Sequence, residues 1–332
     1  MNFENCHQFI FVWMALWSLG AKPAFINYNL TGNSLAHCLR ISKTRLCISQ
    51  DHLAPNVDAV LNDTPGIKAV QLTPALQQEI STNPAIPIPA SVRSGQKLRD
   101  LAVLIFTSGT TGLPKAAIMS WDKCLGLTVA GAATQGQVGG PVMYSPMPLY
   151  HGVGAFSGFC APMVGGRTLA LGKKFSASRF WDEVRQHNAT SITHTGEVMR
   201  YVVAAPPKFD PVTGENLDKK HNVQAIFGNG LGQDLWAKIR DRFGIDVIME
   251  FYSSTEGNLT LYNRSYNSLR EGAVGRLGWL LQLLTMNAFQ LVEVDWDTEE
   301  PWRDPVTGFC KKVKYGEPGE ALSLLPEEDI KS

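Results

Sequence analysis

The sequence predicts an α/β fold, with mixed sheets flanked by helices and a β-rich edge near the C-terminus. Three observations support this class. Apolar runs of strand length alternate with helical segments along most of the chain. Several of those runs end in segments rich in glycine and hydroxyl residues, as strands do where an open sheet meets a ligand. Beyond residue 286, short extended stretches are separated by turn signals.

Size and composition limit the class of protein. The length of 332 residues is compatible with one large domain or with two lobes. Hydrophobic residues make up 44% and charged residues 18%, which leaves ample material for a core. The formal net charge is zero, so no basic excess indicates nucleic acid or an anionic membrane as the main partner. The six cysteines form no C-x-x-C pair, so neither zinc nor a disulfide framework is indicated and a reducing compartment is the default.

The N-terminal apolar run, residues 9–19, has three possible interpretations. It is too short to span a membrane, and Lys22 and Pro23 follow its end. The residues before it carry Glu4 rather than the basic charge of a secretory signal. We therefore favour a buried helix, with a secretory signal or an interfacial anchor as alternatives.

In the N-terminal half, elements are placed by apolar periodicity and by stop signals. Gly20 ends the first helix, and Ser120 is a candidate N-cap with Asp122 in the first turn of a later helix. Residues 81–100 contain several prolines and are predicted to be a loop. The predicted helices lie at 9–20, 34–42 and 120–133, and the predicted strands at 24–28, 45–49 and 101–106.

The C-terminal half continues the alternation and then changes character. Residues 208–222 are predicted to be a polar loop, and 286–325 to be antiparallel strands because Thr307-Gly308 and the glycines at 316 and 319 are turn signals. The predicted helices lie at 155–165, 180–187, 197–204 and 234–243, and the predicted strands at 142–145, 168–171, 191–193, 223–227 and 247–251.

The segment 107–115, Thr-Ser-Gly-Thr-Thr-Gly-Leu-Pro-Lys, directly follows an apolar strand and offers hydrogen-bond donors rather than packing surface. Hydroxyls, closely approaching backbone N–H groups and a terminal lysine suit a polyphosphate. A Walker A loop needs four residues between its glycines and then Gly-Lys-Ser/Thr; here Gly109 and Gly112 are too close, and Lys115 follows Pro114. The alternative is a polar surface loop that binds no ligand.

Four loops are predicted to share one cleft. They occupy 107–115, 148–154, 228–232 and 252–257, and each follows a predicted strand. Ligands of open α/β sheets gather at the carboxyl ends of strands, so these loops are expected to converge there.

Two of these loops carry a family resemblance. The segment 107–115, followed by Tyr-x-x-Thr-Glu at 252–256, resembles the adenylate-forming superfamily of acyl- and aryl-CoA synthetases. Finer motifs, His-Thr-Gly-Glu-Val-Met-Arg-Tyr at 194–201 and Gly-Asn-Gly-Leu at 228–231, resemble the very-long-chain acyl-CoA synthetase and fatty-acid transport protein group, as do Glu-Phe-Tyr from residue 250 and Thr-Glu-Gly-Asn from residue 255. The stretch 295–319 resembles the fungal members of that group.

The resemblance implies an activity. Such proteins couple a carboxylate to ATP, release pyrophosphate and form an acyl-adenylate, which a thiol such as coenzyme A then attacks. Catalysis of this kind depends on positioning and on electrostatic stabilisation of phosphate charge. The implied substrate is a long- or very-long-chain fatty acid or a related carboxylate, and the implied cofactors are ATP, Mg²⁺ and coenzyme A as co-substrate.

The resemblance also assigns roles to residues. Glu256 would ligate Mg²⁺ and Thr255 would hydrogen-bond a phosphate oxygen. His151 would flank the α-phosphate and the incoming carboxylate, and Tyr252 would stack on adenine. The β- and γ-phosphates would be held by Thr107, Ser108, Gly109, Thr110, Thr111, Gly112 and Lys115; the base pocket would be lined by Gly228, Asn229 and Gly230; and the acyl tunnel would be bordered by His194, Gly196, Glu197 and Tyr201.

Several of these residues have simpler explanations. Tyr252 could be a packed aromatic at a strand end, Glu256 an exposed loop carboxylate, and His151 the cap of a turn. Asn229 could be present because asparagine tolerates a left-handed turn. Glu197 and Arg200 could form an ordinary surface ion pair. A structural or solvent-facing role is expected for the other histidines: His7, His37, His52, His187 and His221.

By the same resemblance, residues 1–285 form a partial AMP-binding α/β domain and 286–332 the start of a β-rich subdomain. The small C-terminal domain of the family, with its catalytic lysine, is expected to be absent, so we expect weak or no full synthetase activity. A non-catalytic acyl- or nucleotide-binding protein of fatty-acid uptake is the main alternative; a kinase or P-loop NTPase is disfavoured. The resemblance also implies an intracellular location, with the peroxisome, the endoplasmic reticulum and the lipid droplet as candidates. Peripheral contact with a membrane is a further expectation.

Overall fold

The α/β class predicted from the sequence is confirmed by the computed structural model, which describes residues 1–107, 112–136, 138–255, 257, 260–266, 268, 270–275, 278–280, 283 and 289–324. Helices and strands alternate through residue 252. The helices are α1 His7–Ser18, α2 Gly32–Ile41, α3 Ala54–Asp58, α4 Pro74–Thr82, α5 Trp121–Gly136, α6 Ala161–Val164, α7 Phe180–Gln186, α8 Gly196–Ala204 and α9 Gln233–Phe243, with a π-helix at Val153–Cys160.

The strands fall at the predicted places, with some additions. They are β1 Ala24–Phe25, β2 Leu46–Gln50, β3 Lys68–Leu72, β4 Leu101–Thr107, β5 Lys115–Ser120, β6 Val142–Ser145, β7 Thr168–Leu171, β8 Ser191–Thr195, β9 Ala225–Asn229, β10 Val247–Tyr252, β11 Leu261–Tyr266, β12 Phe289–Val292, β13 Val294–Asp295, β14 Glu300–Pro301 and β15 Glu320–Ser323. The predicted helix at 155–165 is corrected: its first part is the π-helix, which begins two residues earlier.

The largest sheet has the strand order β11-β10-β9-β8-β6-β7. All neighbouring pairs are parallel except β10 and β11. Helices α7, α8 and α9 cover one face, where Phe180, Trp236 and Ile226 are among the buried core side chains. Because its parallel strands run in one direction, their carboxyl ends reach a common edge, and that edge carries three of the four loops assigned from the sequence, 148–154, 228–232 and 252–257.

A smaller sheet of order β1-β4-β5 holds the segment 107–115. Strands β4 and β5 are antiparallel, and Thr107 pairs directly with Lys115. The segment is therefore the connection of a hairpin.

Helix α1 is a core helix, as favoured from the sequence. Phe9 and Trp13 are fully buried, and their rings contact each other and Phe25 edge to face. Gly20 adopts a φ of 69°, which ends the helix as predicted. In the portion of the chain that the structure describes, no helix combines the length and the apolarity needed to cross a membrane.

The C-terminal tail contains the predicted antiparallel strands. Strand β12 pairs with β15, and β13 pairs with β14. The predicted domain boundary near residue 286 stays a prediction.

Candidate functional site

A cavity of about 570 Å³ opens at the carboxyl edge of the large sheet. The end of β9 contributes Asn229, and the segment after β10 contributes Ser253, Ser254 and Thr255. Helix α5 and the start of the π-helix close the other side, where His151 lies. Three residues assigned from the sequence, His151, Asn229 and Thr255, thus line one cavity.

Parallel pairing brings two of the cavity's segments side by side. In the register of β9 and β10, Gly228 lies opposite Glu250, so Asn229 and Tyr252 emerge at the same edge. Asn229 has a buried side-chain oxygen with no hydrogen-bond partner among the described residues. The left-handed residue of the turn is Gly230, with a φ of 74°, whereas Asn229 belongs to the strand. The explanation of Asn229 by a left-handed turn is therefore wrong.

Tyr252 ends β10 with 49% of its surface exposed, so it is not the packed core aromatic of the alternative explanation.

The other simple alternatives have mixed outcomes. His151 does cap a turn, because its Nδ1 accepts a hydrogen bond from the backbone N–H of Val153 at 3.3 Å. Arg200 pairs with Asp234 at 3.2 Å rather than with Glu197, so the proposed surface pair within α8 is wrong.

Beneath the 228–230 turn lies a buried pair of ionisable side chains, Glu250 and His194. Both are fully buried, and His194 Nε2 is 4.0 Å from Glu250 Oε1. Burial raises the pKa of the Glu250 carboxyl to about 8, although the N–H of Leu231, at 3.3 Å from each oxygen, acts in the opposite direction. Burial lowers the pKa of His194 to about 4. Near neutral pH both side chains are therefore mainly uncharged, as expected for ionisable groups that are fully buried.

Two glycines of the assigned motifs are explained by close backbone contacts. A Cβ on Gly228 would lie 2.1 Å from the carbonyl oxygen of His194, and a Cβ on Gly196 would lie 1.6 Å from that of Gly230. Only glycine permits these approaches. The start of α8 is thereby held against the turn after β9.

A second cavity, of about 430 Å³, adjoins the first and shares His151 and Val153 with it. Its walls are mostly apolar, with Lys173 and Lys174 among the lining residues. From the predicted acyl-binding segment, Thr195 and Val198 line this cavity.

The structure does not place the assigned acyl residues on either cavity wall. His194 and Gly196 are buried within the fold, Glu197 is exposed, and Tyr201 is 54% exposed beside Phe175. For His194 the reason is that successive side chains of a strand face opposite sides, and Thr195 is the one that lines the second cavity. The other three lie on α8, from which Val198 lines that cavity. The motif was recognised correctly, but it did not identify which of its side chains face a cavity.

Of the predicted phosphate-binding segment 107–115, the structure describes residue 107 and residues 112–115. Thr107 pairs with Lys115, which is exposed, and Gly112 has a φ of 90° with open space around it. None of these three lines either cavity. Four further assigned residues, Ser108, Gly109, Thr110 and Thr111, and the predicted Mg²⁺ ligand Glu256 lie outside the described residues. Among the residues that are described, no group of three His, Cys, Asp or Glu could hold a metal.

Sequence reasoning assigned no role to Glu250, Ser253 or Asn5. Glu250 could have been noticed as a lone carboxylate inside an apolar strand, and Ser253 as a hydroxyl at a strand end. For Asn5 no sequence signal exists, because its contacts lie more than 140 residues away.

Comparison with known proteins gives one family and several relatives. The family described as AMP-binding enzyme matches residues 2–309. The chain is 36% identical to isopenicillin N epimerase component 1 of Hapsidospora chrysogena over 97% of this chain and 48% of that protein. It is 37% identical to the very long-chain fatty acid transport protein of Saccharomyces cerevisiae over the same shares, 97% and 48%. The chain therefore spans about half the length of these relatives.

Solved structures share the fold at lower identity. Anthranilate CoA ligase AuaEII, in complex with anthranoyl-AMP, superposes with a TM-score of 0.72 at 18% identity, over 96% of this chain and 58% of that one. O-succinylbenzoate coenzyme A synthetase of Bacillus subtilis, in complex with ATP and magnesium ion, gives 0.66 at 18%, over 96% and 58%.

Proposed function

Because the chain belongs to the AMP-binding enzyme family, as its motifs predicted, we propose that it forms the nucleotide- and acyl-binding part of an ATP-dependent ligase. The proposed reaction activates a long- or very-long-chain fatty acid, with Mg²⁺, through an acyl-adenylate to the coenzyme A thioester. The observation that carries the proposal is the cavity at the sheet edge, where Asn229, Thr255 and His151 meet.

The nucleotide fits the polar groups of that cavity. The unpartnered oxygen of Asn229 can accept a hydrogen bond from the exocyclic amine of adenine, which would satisfy a group that is otherwise costly to bury. The half-exposed ring of Tyr252, which directly precedes the lining residue Ser253 without itself lining the cavity, offers a stacking face. Hydroxyls of Ser253, Ser254 and Thr255 can donate to phosphate oxygens. Glu256 remains the proposed ligand of Mg²⁺.

The protonation of His151 defines what it can do. Although His151 keeps solvent exposure, partial desolvation by the surrounding cavity wall lowers its pKa below the ordinary value, so the ring is neutral near pH 7. Since Nδ1 accepts from Val153, Nε2 carries the proton and can donate to an oxygen of the carboxylate or of the α-phosphate. His151 would therefore orient the two reactants by a hydrogen bond, and Lys115 would supply positive charge to the departing pyrophosphate. Bound ATP supplies the phosphorus atom that the carboxylate attacks.

The relatives support a fatty acid as the carboxylate, because one of them is named for very long-chain fatty acid transport. The mostly apolar second cavity offers surface suited to an acyl chain. A specialised carboxylate is the alternative substrate, since another relative is a component of an isopenicillin N epimerase. A non-catalytic role in fatty-acid uptake is the alternative from a different class.

Thermal stabilisation by Mg·ATP tests the nucleotide site. We expect Tyr252→Ala to weaken ATP binding by about 10-fold or more, because one stacked base contributes about 1–3 kcal/mol. Tyr266→Ala is the control, since Tyr266 is a similarly exposed tyrosine at the opposite end of the paired strand. Equal ATP-dependent stabilisation in wild type and Tyr252→Ala would refute the assignment. Fatty-acid-dependent release of pyrophosphate then separates the enzyme from the non-catalytic binding protein.

A further inference from the structure

A buried asparagine near the N-terminus joins three separate segments. The amide nitrogen of Asn5 donates to the carbonyl oxygens of Met147 at 2.8 Å and Gly172 at 3.0 Å. Its amide oxygen accepts from the N–H of Leu149 at 2.8 Å. Asn5 is only 6% exposed, and buried polar groups of this kind are held by hydrogen bonds within the protein.

Two of the three partners belong to the turn that leads from β6 to His151. Met147 and Leu149 lie in that turn, and the N–H of His151 donates to Pro148 at 3.1 Å. The turn also packs tightly against the π-helix: a Cβ on Gly154 would lie 2.1 Å from the carbonyl oxygen of Pro148. A shift of the turn would therefore be passed directly to His151.

The third partner, Gly172, directly follows β7. After it come Lys173, Lys174 and Phe175, which line the second cavity together with the turn and Asn5 itself. One side chain thus ties two walls of this cavity to each other. The backbone also joins β6 and β7 at this point, since the N–H of Gly172 donates to the carbonyl oxygen of Ser145 at 2.9 Å.

We propose that Asn5 is a positioning residue that holds the 146–150 turn, and with it the imidazole of His151, between the two cavities. The inference rests on the proposed function for its catalytic consequence, but its structural consequence can be measured separately. No other side-chain type of similar size supplies two N–H donors and an acceptor in this geometry. Aspartate would keep the acceptor for Leu149 and set an oxygen against two carbonyl oxygens.

The control variant is Thr190→Val. Thr190 clamps the other end of β6 in the same manner: its hydroxyl donates to Gly139 at 2.7 Å and accepts from Val142 at 2.9 Å. Neither of the two cavities includes Thr190. Loss of this clamp costs hydrogen bonds on the same strand and leaves the His151 turn intact.

The first experiment follows the imidazole of His151 by NMR titration, with the resonance assigned from His151→Gln. In the wild type its pKa lies below the ordinary value because the packed turn and the cavity wall desolvate the ring, although His151 keeps solvent exposure. In Asn5→Ala and in the milder Asn5→Ser we expect it to rise toward the ordinary value of about 6.5, as the turn loosens and the ring loses the packing that desolvates it. Thr190→Val should leave it at the wild-type value. An unchanged pKa in both Asn5 variants would overturn the proposal.

A measurement on the unmodified protein covers the case in which the Asn5 variants do not fold. The N–H of Leu149 is bonded to a buried side chain, so its hydrogen exchange should be slow, like that of a sheet amide. Exchange at the rate of an exposed loop would overturn the proposal without any substitution.

Ligase activity provides the last readout. In folded Asn5→Ala we expect fatty-acid-dependent pyrophosphate exchange to fall by about 10- to 100-fold, because small displacements at a reacting centre have effects of that size. Thr190→Val should retain it. If the wild type itself shows no exchange, the non-catalytic alternative to the proposed function is supported, while the His151 titration still decides the role of Asn5.

Discussion

Replacing Glu250 with glutamine removes a titrating proton from a fully buried position on β10 at nearly constant side-chain volume. The glutamine oxygen can still accept from the N–H of Leu231. In the wild type the folded-state pKa, about 8, lies above the unfolded value of 4.5. The folded state therefore holds the proton more tightly, and this contribution to stability is complete below pH 4.5 and lost as the pH rises through 8.

The magnitude follows from linkage. Within that window one extra proton is bound in the folded state, and each pH unit costs about 1.4 kcal/mol. Between pH 6.0 and 7.5 the wild type should thus lose about 2 kcal/mol more unfolding free energy than Glu250→Gln. His194 acts with the opposite sign: its contribution is present above pH 6.5 and is lost as the pH falls through about 4. It is common to both proteins and cancels in the difference.

Urea unfolding followed by circular dichroism, at a series of pH values, measures this difference. Glu197→Gln removes the same formal charge from an exposed position of α8 and so reports the effect of net charge alone. Parallel stability curves for the wild type and Glu250→Gln between pH 6.0 and 7.5 would refute the argument, because they would mean that the buried carboxyl is already ionised in the fold.

The remaining predictions concern packing and are tested by the same unfolding measurement. Gly196→Ala should lower the unfolding free energy by about 3 kcal/mol, because the new Cβ would lie 1.6 Å from the carbonyl oxygen of Gly230. A loss below about 1 kcal/mol would show that the turn can move away from the added Cβ. Gly126→Ala, at an exposed position inside α5 with open space around it, should instead stabilise by about 0.5–1 kcal/mol. Trp13→Ala should cost about 4 kcal/mol, since Trp13 is fully buried among aromatic rings; a loss under 1 kcal/mol would contradict its place in the core.

Sequence reasoning placed elements best where apolar runs are bounded by glycine or proline. The strands at 142–145 and 168–171 were predicted with the bounds that the structure has. It missed β3 and β11, because both carry polar side chains that obscure a strand pattern. It also missed α4, although Thr73 caps that helix by accepting from the N–H of Leu76 at 3.2 Å, and Pro74 opens it. A threonine N-cap followed by proline at the first helical position is a helix-start signal that the sequence already contained.

The site was predictable to the level of loops rather than of side chains. The carboxyl-end rule brought His151, Asn229 and Thr255 to one cavity, since parallel strands end at one edge. It could not anticipate that His194 is buried against Glu250, because that depends on which face of β8 the residue occupies. The roles assigned to all these residues remain predictions. Long-range contacts such as those of Asn5 depend on the finished fold and leave no local pattern.

The pairing of Thr107 with Lys115 has a consequence for how the intervening segment can vary. A hydroxyl and an ammonium group stand opposite each other on adjacent strands, with their Cβ atoms about 5 Å apart in such pairs. The strands fix this separation, so residues inserted or deleted between the two would alter the tip and leave both anchors in place. Under the proposed function, the hairpin separates the recognition of charge, which is assigned to the anchors, from the length of the segment that joins them. A library of loop lengths grafted between Thr107 and Lys115 would reveal how many anion shapes one pair of anchors can serve.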